Sequence, residues 1–100
     1  MGLYHIVLFK FKKDTQPEDL EKLASLSGAM IGEVSGLVDM KTGPPLAATS
    51  IRAKGFEYAA VATLEGVQFL EGYVKNPIHG ELIALVGKIA DETVAFDLEF

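Results

Sequence analysis

The stretch LYHIVLFKFK, residues 3–12, is apolar on both parities of an extended chain for six residues before lysines enter one of them. Side chains alternate across a strand, so Leu3, His5, Val7, Phe9 and Phe11 share one face, and Tyr4, Ile6 and Leu8 share the other with Lys10 and Lys12. Such a strand needs cover on both sides. In a chain of 100 residues, enough for one core but not for two, a single sheet must take its own helices on one face and further cover on the other.

The rest of the chain supplies the helices. Residues 13–36 open with Thr15 as a candidate cap, Pro17 early and Glu18 and Asp19 in the first turn. Leu20, Leu23, Ser27, Met30, Ile31 and Val34 then form an apolar stripe, with Gly28 and Gly32 expected to let the helix approach the sheet. In 36–43 a short strand alternates Leu37, Asp39 and Lys41 with Val38, Met40 and Thr42, and ends at Gly43, Pro44 and Pro45. Residues 44–55 lack a period and read as a long mobile loop. A second strand covered on both sides spans 56–65, with Phe56, Tyr58, Ala60, Ala62 and Leu64 on one parity. Val67, Phe69, Leu70, Tyr73 and Val74 give an apolar helix face over 66–76, which Pro77 interrupts. A second helical run over 77–91 turns Ile78, Leu82, Leu85, Val86 and Ile89 inward, and 92–100 closes the chain as a strand.

The order βαββαβ predicts one α+β domain over residues 1–100, a ferredoxin-like antiparallel sheet with helices on one face. Tyr4, Ile6 and Leu8 on the other face predict a homodimer in which two sheets oppose each other, a dimeric α/β barrel.

Charge and composition narrow the function. Lys plus Arg at 9 against Asp plus Glu at 14, dispersed along the chain, argue against nucleic acid as a partner. The one basic cluster, Lys10, Lys12 and Lys13, reads as solvated rim. The absence of cysteine removes thiolate nucleophiles and thiolate metal sites. No apolar run is long enough to span a bilayer and no signal-peptide pattern opens the chain, so the expected compartment is the cytoplasm. A metal site built from His5, His79 and Glu81 lacks any spacing such as His-x-x-x-His, and neither metal nor cofactor is expected.

One segment asks for more than packing. YVKNPIHGEL, residues 73–82, places one of only two histidines two residues after a proline and six after a tyrosine. A histidine suits proton abstraction next to a carbonyl at neutral pH, and a tyrosine hydroxyl suits stabilisation of the oxygen anion that results. Each residue also has a plain structural reading: His79 as a polar residue at the edge of the core, Tyr73 as packing, His5 as a buried strand histidine, and Asn76 as a turn former before Pro77. Pro77 makes the corner rather than helical spacing set their relative direction, so convergence of Tyr73 and His79 is left open by the sequence.

HIVLFKF, GFEYAAVATLEGVQFLEGYVKNPIH and VAFDLEF together resemble the stress-responsive A/B barrel domain family of dimeric α+β barrels, and within it the olivetolic acid cyclase-like proteins. Most of the family has no established activity; the cyclases close a ring in a linear poly-β-keto thioester by an aldol step. The resemblance implies Tyr73 and His79 as catalytic residues and His5 as a pocket-wall group, with Val7 and Phe9 beside it on the same strand face. Tyr58 stands where the cyclases carry a pocket histidine, and Asn76 departs from the motif, which usually has another histidine before the proline. Two functions therefore stand as expectations: a cofactor-independent enzyme doing acid/base chemistry, aldol-type cyclisation or isomerisation, on a small carbonyl or polyketide-like compound, and a non-enzymatic stress-associated dimer or small-molecule binding protein.

Overall fold

A computed structural model describes residues 1–100. Four strands, β1 (Leu3–Phe11), β2 (Leu37–Gly43), β3 (Tyr58–Leu64) and β4 (Ala90–Glu99), form one antiparallel sheet in the order β2-β3-β1-β4. Helices α1 (Pro17–Ala29), α2 (Leu70–Lys75) and α3 (Pro77–Ile89) complete the predicted βαββαβ order, with α2 and α3 meeting at the Pro77 corner. This is the ferredoxin-like α+β fold expected from the strand parities. No helix is long and apolar enough to cross a membrane.

The core lies between the sheet and the helices. Leu3 and Phe9 of β1, Ala60, Ala62 and Leu64 of β3, and Leu37 of β2 meet Leu23 of α1 and Leu82, Leu85 and Ile89 of α3. Leu23, Met30 and Leu64 are fully enclosed, each worth roughly 1.5–3 kcal/mol of transfer from water. Ser27 joins the α1 stripe without an orphaned hydroxyl, because its Oγ donates to the Leu23 carbonyl one turn back at 2.8 Å.

Several local expectations are corrected. Helix α1 ends at Ala29 rather than running to 36, so Met30 and Val34 are buried from the turns that follow and Ile31 points outward. Gly28 faces open space, and Gly32 lies beyond the helix at φ +88, so neither brings the helix closer to the sheet. Thr15 is not the cap. Gln16 is, with its backbone N–H donating to the Asp19 carboxylate at 3.0 Å, while the Thr15 hydroxyl donates to the Ile89 carbonyl at 3.1 Å. In β2 the pairing register shifts between Leu37 and Asp39, which puts Leu37 opposite Leu64 and Met40 opposite Ala62, both facing inward. The strict alternation predicted for 36–43 therefore fails at its first step. Segment 44–55 is not shapeless: Ala47–Ala53 forms an exposed 3-10 helix ended by Lys54 in the left-handed region. Val67 lies outside the apolar face predicted for 66–76, on a 3-10 turn over Val67–Phe69 that precedes α2, and Val74 is only half-buried.

Gly36 is required both by its backbone and by its surroundings. It turns into β2 at φ +78, and a Cβ there would lie 2.2 Å from the Phe69 ring.

The opposite face of the sheet has no helix. Leu8 pairs with Val94, Ile6 with Phe96 and Tyr4 with Leu98 across β1 and β4, so six apolar side chains share that face. Phe96 is 60% exposed and Leu98 47%.

Candidate functional site

A cavity of about 220 Å³ opens between the sheet and the α2–α3 corner. Strands β1 and β3 supply His5, Val7, Phe9 and Ala60; α2 supplies Tyr73 and Val74; α3 supplies His79, Leu82, Ile83 and Val86; and β4 supplies Thr93 and Ala95. A larger hollow of about 330 Å³ between α1 and α3, lined by Asp19, Lys22, Glu81 and Lys88, is a groove of mixed surface charge with no converging chemistry.

The corner explains the convergence that spacing left open. Pro77 lacks a backbone donor, so it occupies the first position of α3 and ends α2. Asn76 caps the new helix, its Oδ1 accepting from the Ile78 N–H at 2.9 Å. Tyr73 and His79, on different helices, are thereby turned toward the same space, with ring centroids 5.0 Å apart. His5 reaches the same point from β1, edge-on to Tyr73 at 5.2 Å. The three aromatic rings form one row along the polar end of an otherwise apolar cavity.

A fourth group stands behind this row, against His5, and was not singled out in the sequence. Asp97 of β4 lies directly opposite His5 in the register, and its Oδ1 is 2.5 Å from the His5 Nδ1. A carboxylate only accepts, so Nδ1–H donates to it and Nε2 is the ring nitrogen left to exchange protons. The available signal was parity: Asp97 is an acid on the strand face that also carries Thr93 and Ala95.

Burial and charge set the protonation of the other two rings. Burial pushes the Tyr73 phenol up to about 12, with the Asp97 charge adding to the rise, so the hydroxyl keeps its proton at neutral pH. Burial also lowers His79 below its ordinary value; a hydrogen bond with the Val74 backbone opposes the drop and His5 adds to it. His79 is therefore a neutral imidazole at pH 7, and Tyr73 a hydrogen-bond donor.

Of the six residues expected at a site, the structure brings His5, Val7, Phe9, Tyr73 and His79 around one cavity. Tyr58 is not among its walls. It pairs with Phe9 at the far end of the sheet, and its ring packs 6.0 Å from that of Phe11. Asn76 contributes its cap and no group to the lining.

Comparison with known proteins agrees with this architecture. A stress-response A/B barrel domain-containing protein of Arabidopsis thaliana is 24% identical over 96 residues, covering 96% of this chain and 84% of the relative. A dimeric ferredoxin-like protein of unknown function from Jannaschia sp. CCS1 superposes with a TM-score of 0.89 at 18% identity, covering all of both chains. A hydroxynitrile lyase from Passiflora edulis superposes with a TM-score of 0.84 at 19% identity, over 97% of this chain and 91% of the other. At these identities the structural matches establish the fold. The profile of the Stress responsive A/B Barrel Domain matches residues 3–100, and the chain belongs to that family.

Proposed function

We propose that this chain is a cofactor-independent proton-transfer enzyme acting on a small carbonyl compound, with a reaction of the aldol type used by olivetolic acid cyclase-like members of its family. One observation carries the reading: the rings of His5 and His79 lie 5.2 and 5.0 Å from that of Tyr73, at the polar end of an apolar cavity. In this mechanism neutral His79 removes a proton from the carbon next to the substrate carbonyl. The Tyr73 hydroxyl donates to the oxygen that gains charge. The enolate carbon then bonds to a second carbonyl, whose oxygen takes the proton back from His79. His5, held by Asp97, offers Nε2 as a further polar contact. A structural neighbour that is a hydroxynitrile lyase supports enzymatic use of this fold.

The protein acts as a homodimer in this proposal. Tyr4, Ile6 and Leu8, with Val94, Phe96 and Leu98, make an apolar patch on the face that no helix covers, and dimeric structural neighbours share the fold.

The test uses short linear poly-β-keto thioesters, with ring-closed product followed by chromatography and mass. His79→Ala is expected to lower turnover by about 10²–10⁴-fold with the far-ultraviolet circular dichroism unchanged. Tyr73→Phe should raise the barrier by about 2–4 kcal/mol, and the double variant should lose less than the sum of the two. Full activity in a folded His79→Ala protein would remove the residue from the mechanism.

A second reading, a binding protein without turnover, is favoured by Asn76. The motif position that usually holds another histidine is occupied by an amide already engaged as a helix cap. Saturable binding of a phenolic ketone by a wild-type protein that never closes a ring would select it.

A further inference from the structure

The charge pattern of the cavity restricts what enters it. No Lys or Arg side chain lines it; the walls are Val7, Phe9, Leu82 and Val86, with Thr93 and Ala95 on the β4 side. Behind the polar end stands Asp97, which does not line the cavity but holds His5 at 2.5 Å with its own carboxylate partly exposed. The Tyr73 hydroxyl already reports on this environment, since burial and Asp97 together disfavour its anion. A ligand carboxylate placed between Tyr73 and His79 would meet the same conditions: lost solvation, a nearby negative charge and no cation to replace either. His79 is a poor counterion, because burial and His5 hold down its protonation. A carbonyl oxygen brings an acceptor for the tyrosine without bringing a charge.

An enolate escapes the same penalty for a different reason. It forms by transfer of its proton to His79, so anion and imidazolium appear together as a neutral pair, whereas a carboxylate arrives with its charge uncompensated.

Resting on the proton-transfer reading above, we propose that the cavity selects neutral, ring-sized carbonyl compounds and rejects the matching free carboxylates, with Asp97 as the specificity-determining charge. The volume fits: about 220 Å³ exceeds the roughly 150 Å³ of an apolar cavity that holds benzene, leaving room for one substituted ring. The substrate must then come from a reaction that leaves its acyl group masked, as a thioester, ester, ketone or aldehyde. Hydrolysis to the acid would turn a ligand into a poor one.

Two probes of equal shape test this, 4-hydroxyacetophenone and 4-hydroxybenzoate, titrated at pH 7 into the full chain while the His5 and His79 imidazole signals are followed by NMR. The ketone should saturate both signals, and the benzoate should bind at least about tenfold more weakly, a difference of ~1.4 kcal/mol. Asp97→Asn keeps an acceptor for the His5 ring while deleting the charge, and should tighten benzoate severalfold with the ketone affected less than about twofold. Benzoate binding as tight as the ketone, or a ratio unmoved by Asp97→Asn, overturns the selectivity; with His79-dependent turnover intact, the catalytic reading survives that result. Failure of both probes to shift either histidine overturns the selectivity, while His79-dependent turnover of the thioesters decides the catalytic reading separately.

Discussion

The two faces of this sheet are made by the same strands and solve different problems. On the helix side, strand β1 alternates buried Leu3 and Phe9 with His5 and Val7 at the cavity, so an apolar core is interrupted at one place by polar rings. On the other side, Tyr4, Ile6 and Leu8 line up with Leu98, Phe96 and Val94 as an open apolar patch, bordered by Thr63 opposite Tyr4 and by the Lys10–Glu92 pair. The comparison separates two signals that a hydrophobicity count merges. A polar residue inside a covered face points to chemistry, because burying it is unfavourable unless something uses or satisfies it. An apolar residue on an uncovered face points to assembly.

The largest effect should come from breaking the open face. Ile6→Glu places a charge where the proposed second sheet packs, and isolated buried charges are strongly disfavoured. Sedimentation should find a monomer or a chain that fails to fold, while the wild-type protein runs as a dimer. A folded wild-type monomer would sink the assembly proposal, whatever the variant does.

Next comes the covered face. Leu64 is 1% exposed and faces Leu3 and Leu37 across both neighbouring strands. Leu64→Ala should lower stability in urea by about 2–5 kcal/mol, by the same amount at every protein concentration. Phe96→Ala should instead act through association, so its loss should depend on concentration. Equal, concentration-independent losses would erase the distinction between the faces.

The smallest effect sharpens the site. Asn76→Ala removes the cap of α3 and should lower stability by about 0.5–2 kcal/mol while leaving ligand binding at the cavity unchanged. A change in binding larger than the change in stability would make Asn76 more than a cap.

Much of this was legible in the sequence because its signals are local and periodic. The parity of residues 3–12 specifies a strand with two apolar faces, and Pro77 specifies a break between Tyr73 and His79. The shift at Leu37 and Asp39 was not legible, since a bulge changes which residues face inward without altering their composition. Nor was the 3-10 turn that leaves Val67 exposed, because a change of helix type rephases the pattern in a few residues. The pairing of His5 with Asp97 joins positions 92 residues apart, and only the β1–β4 register puts them opposite each other. The same limit explains Tyr58. It shares a parity with Ala60, yet its position at the end of β3 takes it away from the cavity.

The central claim is that the helix-side cavity holds a base kept neutral, and titration of the His79 ring tests it most directly. With only two histidines in the chain, His79→Ala assigns the signals. Burial lowers the folded value, so below the ordinary 6.5 the unfolded chain takes up a proton that the folded one refuses. Stability should therefore fall as pH drops below 6.5 toward the folded value, and level off beneath it. By NMR, His79 should titrate reversibly with a midpoint below 6.5, and the midpoint should move when 4-hydroxyacetophenone is bound. A midpoint at or above 6.5, or a ring that stays indifferent to both pH and ligand until the protein unfolds, would contradict the claim.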